Sequence, residues 1–175
     1  MQPFIQPQPL GSVSPLRHPS SEELFWDLVR DYPDKPGNCI RGGLVCLVAE
    51  AMGATLEQAL PTATAMELSQ NWILIHDEFE DGSEMRRGKP CLHRTAGPDQ
   101  AINAGDTLHL IQWGVLFDNY EVLKPKQTIE IGRDFRDMLL RTAQGQTAEL
   151  ALRDSYDLTE TDVLYISVHQ CTIHV

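Results

Sequence analysis

Between His76 and Pro90 the chain reads HDEFEDGSEMRRGKP, with four carboxylates (Asp77, Glu78, Glu80, Asp81) in five residues and then Arg86, Arg87 and Lys89. Asp77 and Asp81 are four apart, so on a helix their carboxylates share a face and can converge on one ion, with Glu78 and Glu80 flanking them. The acids follow a helical apolar stretch and so crowd the C-terminal end of a helix, where the macrodipole is already negative. Gly82 is positioned to end that helix, and no Lys or Arg stands one turn earlier to offset the repulsion. Such a cluster calls for a cation from outside the sequence, and all-oxygen ligation points to Mg²⁺ rather than zinc. Carboxylates that hold Mg²⁺ beside arginines that take oxyanions in bidentate fashion can grip a diphosphate and make it a leaving group. An apolar wall behind such a site would let a carbocation form out of reach of water. The stretch Gln70 to Ile75 could supply part of that wall, or could equally be core.

Two blander readings compete. Arg86, Arg87 and Lys89 could fold back and cancel the acids on a solvated surface. DEFEDG also copies the start of an EF-hand loop, but Phe79 stands at its third ligand position and Gly88 at the twelfth, where a bidentate Glu is required, so that reading fails.

The elements that must position these residues read as helices. Ser20 and Glu23 have the spacing of a capping box, followed by Leu24, Phe25, Leu28, Val29 and Tyr32 on one face. CIRGGLVCLVAEAMG is apolar nearly all round, as expected of a buried helix in the middle of a bundle. Pro61 suits the first turn of the long helix that carries Ala65, Met66, Leu68, Trp72, Ile73 and Ile75 towards the acids. A loop, SEMRRGKPCLHRTAG, separates it from a helix opened by Pro98, another spans roughly residues 128 to 151, and a last one is entered through a cap at Thr159. No segment alternates as a strand. The predicted fold is all-α, a bundle of antiparallel helices.

Composition narrows the function classes. A formal charge of −11 argues against a nucleic-acid partner, whose phosphates need a basic face. Cys39, Cys46, Cys91 and Cys171 show neither zinc spacing nor a disulfide framework, which fits reduced thiols and a cytoplasmic location. No apolar run approaches the ~20 residues of a transmembrane segment. Residues 1–20, rich in Pro, Gln and Ser, read as a disordered tail.

These residues resemble the trans-isoprenyl diphosphate synthases, or polyprenyl synthetases. HDEFEDGSEMRRGKP is similar to that family's DDxxD motif and its following RRG, AGD at Ala104 to Asp106 matches a further triplet, and GQTAEL from Gly145 is similar to GQxxDL, with Glu149 in place of the aspartate. The resemblance covers roughly residues 36 to 172. It implies an isoprenoid-synthase bundle over 21–175 and head-to-tail condensation of isopentenyl diphosphate with an allylic diphosphate, with Mg²⁺ as cofactor. On it, Asp77, Glu78 and Asp81 match the metal-binding acids, Glu78 standing where a second aspartate is usual. Arg86 matches the arginine on the allylic diphosphate and Arg87 that on isopentenyl diphosphate. Asp77, Asp81 and Arg86 are thereby the candidate catalytic residues. Arg41, Gln70 and Gln146 match substrate-binding positions. Trp72 and Ile73 fall where bulk limits product length, implying a short C10–C15 product.

The match has departures. PGNCIRG, at residues 36–42, has Asn38 and Cys39 where the family's GGKRxRP carries lysine and arginine, leaving Arg41, and HQCT at His169 to Thr172 replaces a Lys-Thr pair. The family's second aspartate-rich motif has no counterpart before Val175; Asp134 and Asp137 read as a solvated helix face. The expectation is therefore a truncated bundle, an N-terminal half completed by further sequence, a partner chain or a homodimer. A non-catalytic subunit that binds a partner synthase and a terpene-cyclase-like ionising protein are the alternatives.

Overall fold

A computed structural model describes residues 19–35 and 37–170, with side chains described from residue 21. The described chain divides into two compact units, one ending at Asn119 and one beginning at Tyr120.

The first unit is built on two long helices, α3 (Leu56–Glu80) and α5 (Pro98–Phe117). They run antiparallel, since Thr62 meets Asn119 just past the end of α5, Trp72 meets Gln112, and His76 meets Asp106 and the Ile102 carbonyl. Ala63, Ala65, Leu68 and Ile75 on α3 and Ala101, Ala104, Leu108, Val115 and Leu116 on α5 are buried. Small residues among them let the two backbones approach. Closest is Gly105, where a Cβ would lie 2.4 Å from His76 Nε2, so the middle residue of the AGD triplet is a packing requirement. Around this pair lie α1 (Pro19–Arg30), α2 (Ile40–Ala51), the two-stranded hairpin β1 (Met85–Arg86) and β2 (Lys89–Pro90), and α4 (Leu92–Thr95); α6 (Asn119–Val122) lies at the junction of the units. The second unit is α7 (Pro125–Leu152) against α8 (Glu160–Gln170). Gly145 of the GQ segment meets α8 there, where a Cβ would lie 2.9 Å from the Gln170 nitrogen.

Several local readings of the sequence hold. Pro98 opens α5, and Thr159 caps α8, accepting from the Asp162 N–H at 3.3 Å while its own N–H donates to Asp162 Oδ2 at 2.9 Å. Asp134 and Asp137 are exposed on α7. Others need correction. Helix α1 already includes Pro19, so Ser20 lies within its first turn and not at the cap; the rest of the tail assigned to residues 1–20 lies outside the described residues, as do Cys171 and Thr172. Helix α3 starts at Leu56 under a capping box of Thr55 and Gln58, which places Pro61 inside the helix. Two reciprocal cap hydrogen bonds set the start more strongly than the proline's tolerance of the first turn. The predicted loop after α3 contains the small hairpin and α4. The largest correction concerns α2, which is not a central buried helix. It packs on α3 along the side of Gly42, whose N–H donates to Glu67 Oε1 at 2.7 Å, while Ile40, Leu44, Leu47 and Val48 are exposed. Uniform hydrophobicity reports what could be covered, whereas among the described residues only one side of α2 has a neighbour.

Candidate functional site

The acids close α3. Asp77 is half-buried and Asp81, at the C-cap, is exposed, with the Asp81 N–H donating to the Asp77 carbonyl at 2.8 Å. No basic residue occupies the last turn, so the dipole and both carboxylates add to one negative end.

Glu78 takes another direction. It is 1% exposed, and its carboxylate accepts hydrogen bonds from the Tyr32 hydroxyl and from Arg86 Nε at 2.5 Å, with the buried Cys91 thiol beside it. Burial, and then the hydrogen bond and charge of Glu78, hold the Tyr32 phenol well above its ordinary range. The same two causes push the Cys91 thiol up to about 11. For Arg86, burial alone would lower the pKa, but the hydrogen bond and charge of Glu78, with Asp77 adding, raise it. The sequence held a signal for this. Glu78 lies three residues after Ile75 and ten after Leu68, both buried, so it continues the core stripe of α3.

The arginines are placed by the hairpin. Met85 pairs with Pro90 and Arg86 with Lys89, and the two-residue turn between them has positive φ at both Arg87 (53°) and Gly88 (76°). That is the primed turn that matches strand twist, and Gly88 supplies the conformation without a Cβ penalty. Arg86 lies inward on Glu78, while the exposed Arg87 reaches over the loop before α2, where its Nη1 lies 3.5 Å from the Lys35 carbonyl and a Cβ on Gly37 would lie 3.1 Å away. The self-neutralising reading thus holds for Arg86 with Glu78, whose carboxylate is turned into the protein.

Arg41 is half-buried in the first turn of α2. Gln70 is buried, with Oε1 lacking a hydrogen-bond partner. Trp72 and Ile73 are half-buried; the Trp72 indole N–H donates to Gln112 Oε1 at 3.1 Å, and its ring lies 4.5 Å from that of His109. Gln146 belongs to the second unit, where the Gln170 amide bridges it, at 3.0 Å, and Glu149. The structure therefore brings Asp77, Glu78, Asp81, Arg86 and Arg87 to one end of α3. Sequence reasoning missed Tyr32 and Cys91 as part of that end, because their link to Glu78 spans elements and leaves no spacing to read.

As a metal site the end of α3 is partial. No three His, Cys, Asp or Glu side chains converge as a ligand set among the described residues. Asp77 and Asp81 fit an ion such as Mg²⁺, which is usually held by one or two carboxylates together with substrate phosphates. Glu78 does not fit, because its oxygens face buried donors.

The sequence model of the Polyprenyl synthetase family matches residues 22–172. A geranylgeranyl diphosphate synthase of Methanosarcina mazei is 42% identical over 100 residues, 57% of this chain and 30% of that protein. A short chain isoprenyl diphosphate synthase of Methanothermobacter thermautotrophicus is 30% identical over 73% of this chain and 38% of its own length. The chain thus spans less than half the length of either relative. Among solved structures, a geranylgeranyl pyrophosphate synthetase from Pyrococcus horikoshii superposes with a TM-score of 0.83 at 25% identity, covering 87% of this chain and 46% of that one. The corresponding enzyme of Geoglobus acetivorans gives 0.81 at 22% identity over 97% and 53%.

Proposed function

We propose a function from one premise: this chain belongs to the polyprenyl synthetase family, whose all-α isoprenoid-synthase fold it shares. It carries the first diphosphate-binding wall of a prenyltransferase that joins isopentenyl diphosphate to an allylic diphosphate. The observation that carries this reading is the end of α3, where Asp77 and Asp81 stand at a helix C-terminus with no basic residue in its last turn, beside an arginine that Glu78 holds through Nε.

Asp77 and Asp81 would hold Mg²⁺, whose charge, shared with a bound diphosphate, eases departure of that group. Arg86 presents its terminal amino groups to the allylic diphosphate, and Arg87, beside Gly37, serves the isopentenyl diphosphate together with Arg41. Gln70 is a further substrate contact in this reading, and Gln146, in the second unit, is assigned such a contact by the motif match alone. In the reaction the allylic C–O bond breaks with its electron pair on diphosphate, the isopentenyl double bond supplies the new C–C bond, and a proton is lost. Trp72 and Ile73 limit the length of the product to the short range, with the indole held by Gln112 and His109.

Prenyl transfer is assayed with Mg²⁺ and both diphosphates, using this chain together with the further sequence or partner that completes the bundle. Product formation that falls at least a hundredfold in Asp77→Ala supports the reading, and no product from the intact wild-type assembly removes it. Trp72→Ala should lengthen the products; an unchanged product would clear Trp72 of that role. A second reading, a non-catalytic subunit, is favoured by Asn38 and Cys39, which stand where the resemblance expects cations for isopentenyl diphosphate. It predicts binding to a partner synthase with no Mg²⁺-dependent diphosphate binding by this chain.

A further inference from the structure

We infer that Tyr32 and Glu78 are positioning residues that hold Arg86 in the orientation in which it receives a diphosphate. The inference rests on the proposed function for the identity of that anion, but its geometry stands on contacts within the chain.

Three segments converge on one buried carboxylate. Tyr32 comes from the turn after α1 and Arg86 from β1, and each donates to Glu78, while Cys91, the residue before α4, lies buried beside it. An ionised carboxylate offers about four lone-pair sites. Here each of the two oxygens already accepts from a protein donor, and the carboxylate is 1% exposed, which sets it apart from a ligand open to an outside cation. The arrangement also explains how Arg86 can act outward. Its bond to Glu78 is made through Nε, and the side chain is 38% exposed. A guanidinium is planar, so fixing the Nε edge fixes the plane and leaves the terminal amino groups for an outside acceptor. Paired with Arg86, Glu78 adds little repulsion against an incoming diphosphate. Tyr32 matters because it holds the second carboxylate oxygen. Without it Glu78 could rotate, and the guanidinium plane would rotate with it. Lys35, with its ammonium 4.2 Å from the Tyr32 ring and bonded to Asp31, backs the phenol from the other side. Glu78, with one methylene more than aspartate, bridges this span from the α3 backbone.

The test uses the chain itself with two readouts. The first is calorimetric titration with inorganic pyrophosphate across a range of Mg²⁺ concentrations. Glu78→Gln should weaken binding about tenfold, the scale of a charge-assisted hydrogen bond, and should do so at every Mg²⁺ concentration with the Mg²⁺ midpoint unmoved. Tyr32→Phe, which keeps the ring, should show a smaller loss of the same form, whereas Asp77→Ala should move the midpoint. The second readout is the NMR resonance of the Arg86 Nε–H group, expected to be protected from solvent exchange in the wild type and exposed in both variants. A Glu78→Gln defect cured by excess Mg²⁺ would show Glu78 to be a metal ligand and overturn the inference. So would an unprotected Nε–H in the wild type, or unchanged protection in both variants. A protected Nε–H that depends on Tyr32 and Glu78, in a chain that binds no pyrophosphate, would uphold the Arg86 anchor and overturn instead the proposed function.

Discussion

Cys91 has no exposed surface, and burial first, then the neighbouring Glu78 carboxylate, raise its pKa to about 11 from an ordinary value near 9. A group whose folded pKa is raised keeps its proton in the native state over a window where the unfolded chain has lost it. The stability it contributes is therefore complete below about pH 9 and is lost as the pH rises through about 11. Tyr32 shifts in the same direction and adds to the loss at the alkaline end. Denaturant melts between pH 8 and pH 11 should show the decline, and Cys91→Ala should flatten its lower part; an equal decline in both would assign it elsewhere. The same burial predicts selective chemistry, because thiolate and access are both needed. Exposed Cys39 should be alkylated first in the native protein and Cys91 only on unfolding, as read by peptide mass mapping. At this scale the placement of Asp77 and Asp81 at the end of α3 was legible. The role of Glu78 was not, because nothing near it in the chain announces Tyr32, which lies 46 residues away.

The hairpin and the α3–α5 seam make firmer demands on sequence than the helices do. Gly88 sits at φ 76°, where a Cβ costs about 1–2 kcal/mol. Gly88→Ala should lower stability by that amount, measured by thermal melting, and loosen the strands that carry Arg86. At Gly105 the obstacle is the His76 ring, held at 3.5 Å from Asp106 and edge-on to Trp72. Gly105→Ala should cost roughly 1–3 kcal/mol by overpacking. Adding His76→Ala should return part of that loss, a coupling that a double-mutant cycle would read. Additive losses would mean that the strain lies in the backbone. Element existence was legible wherever periodicity and caps agree locally, as at Pro98 and Thr159. Boundaries failed where a stronger local device stood beside a weaker one, as Thr55 with Gln58 did beside Pro61.

On the scale of the molecule, the described surface keeps large apolar side chains in water: Leu47 is 63% exposed on α2 and Leu110 73% exposed on α5. In the isolated chain Leu47→Lys and Leu110→Lys should therefore change stability by no more than about 0.5 kcal/mol, as for ordinary surface positions. A larger loss in denaturant melts would mean that these faces are covered in solution. The relatives are more than twice as long as the regions of them that this chain matches, so their activity comes to it as a proposal. What the sequence by itself determined were the helices, the acidic end of α3 and the family, because periodicity, dipoles and motif spacing act over a few residues. What only the tertiary structure decided were the one-sided packing of α2, the close passage at Gly105 and the turning of Glu78 towards Tyr32 and Arg86. Each of these depends on which distant segment arrives to share a buried space, and hydrophobicity or charge at a single position does not encode its partner.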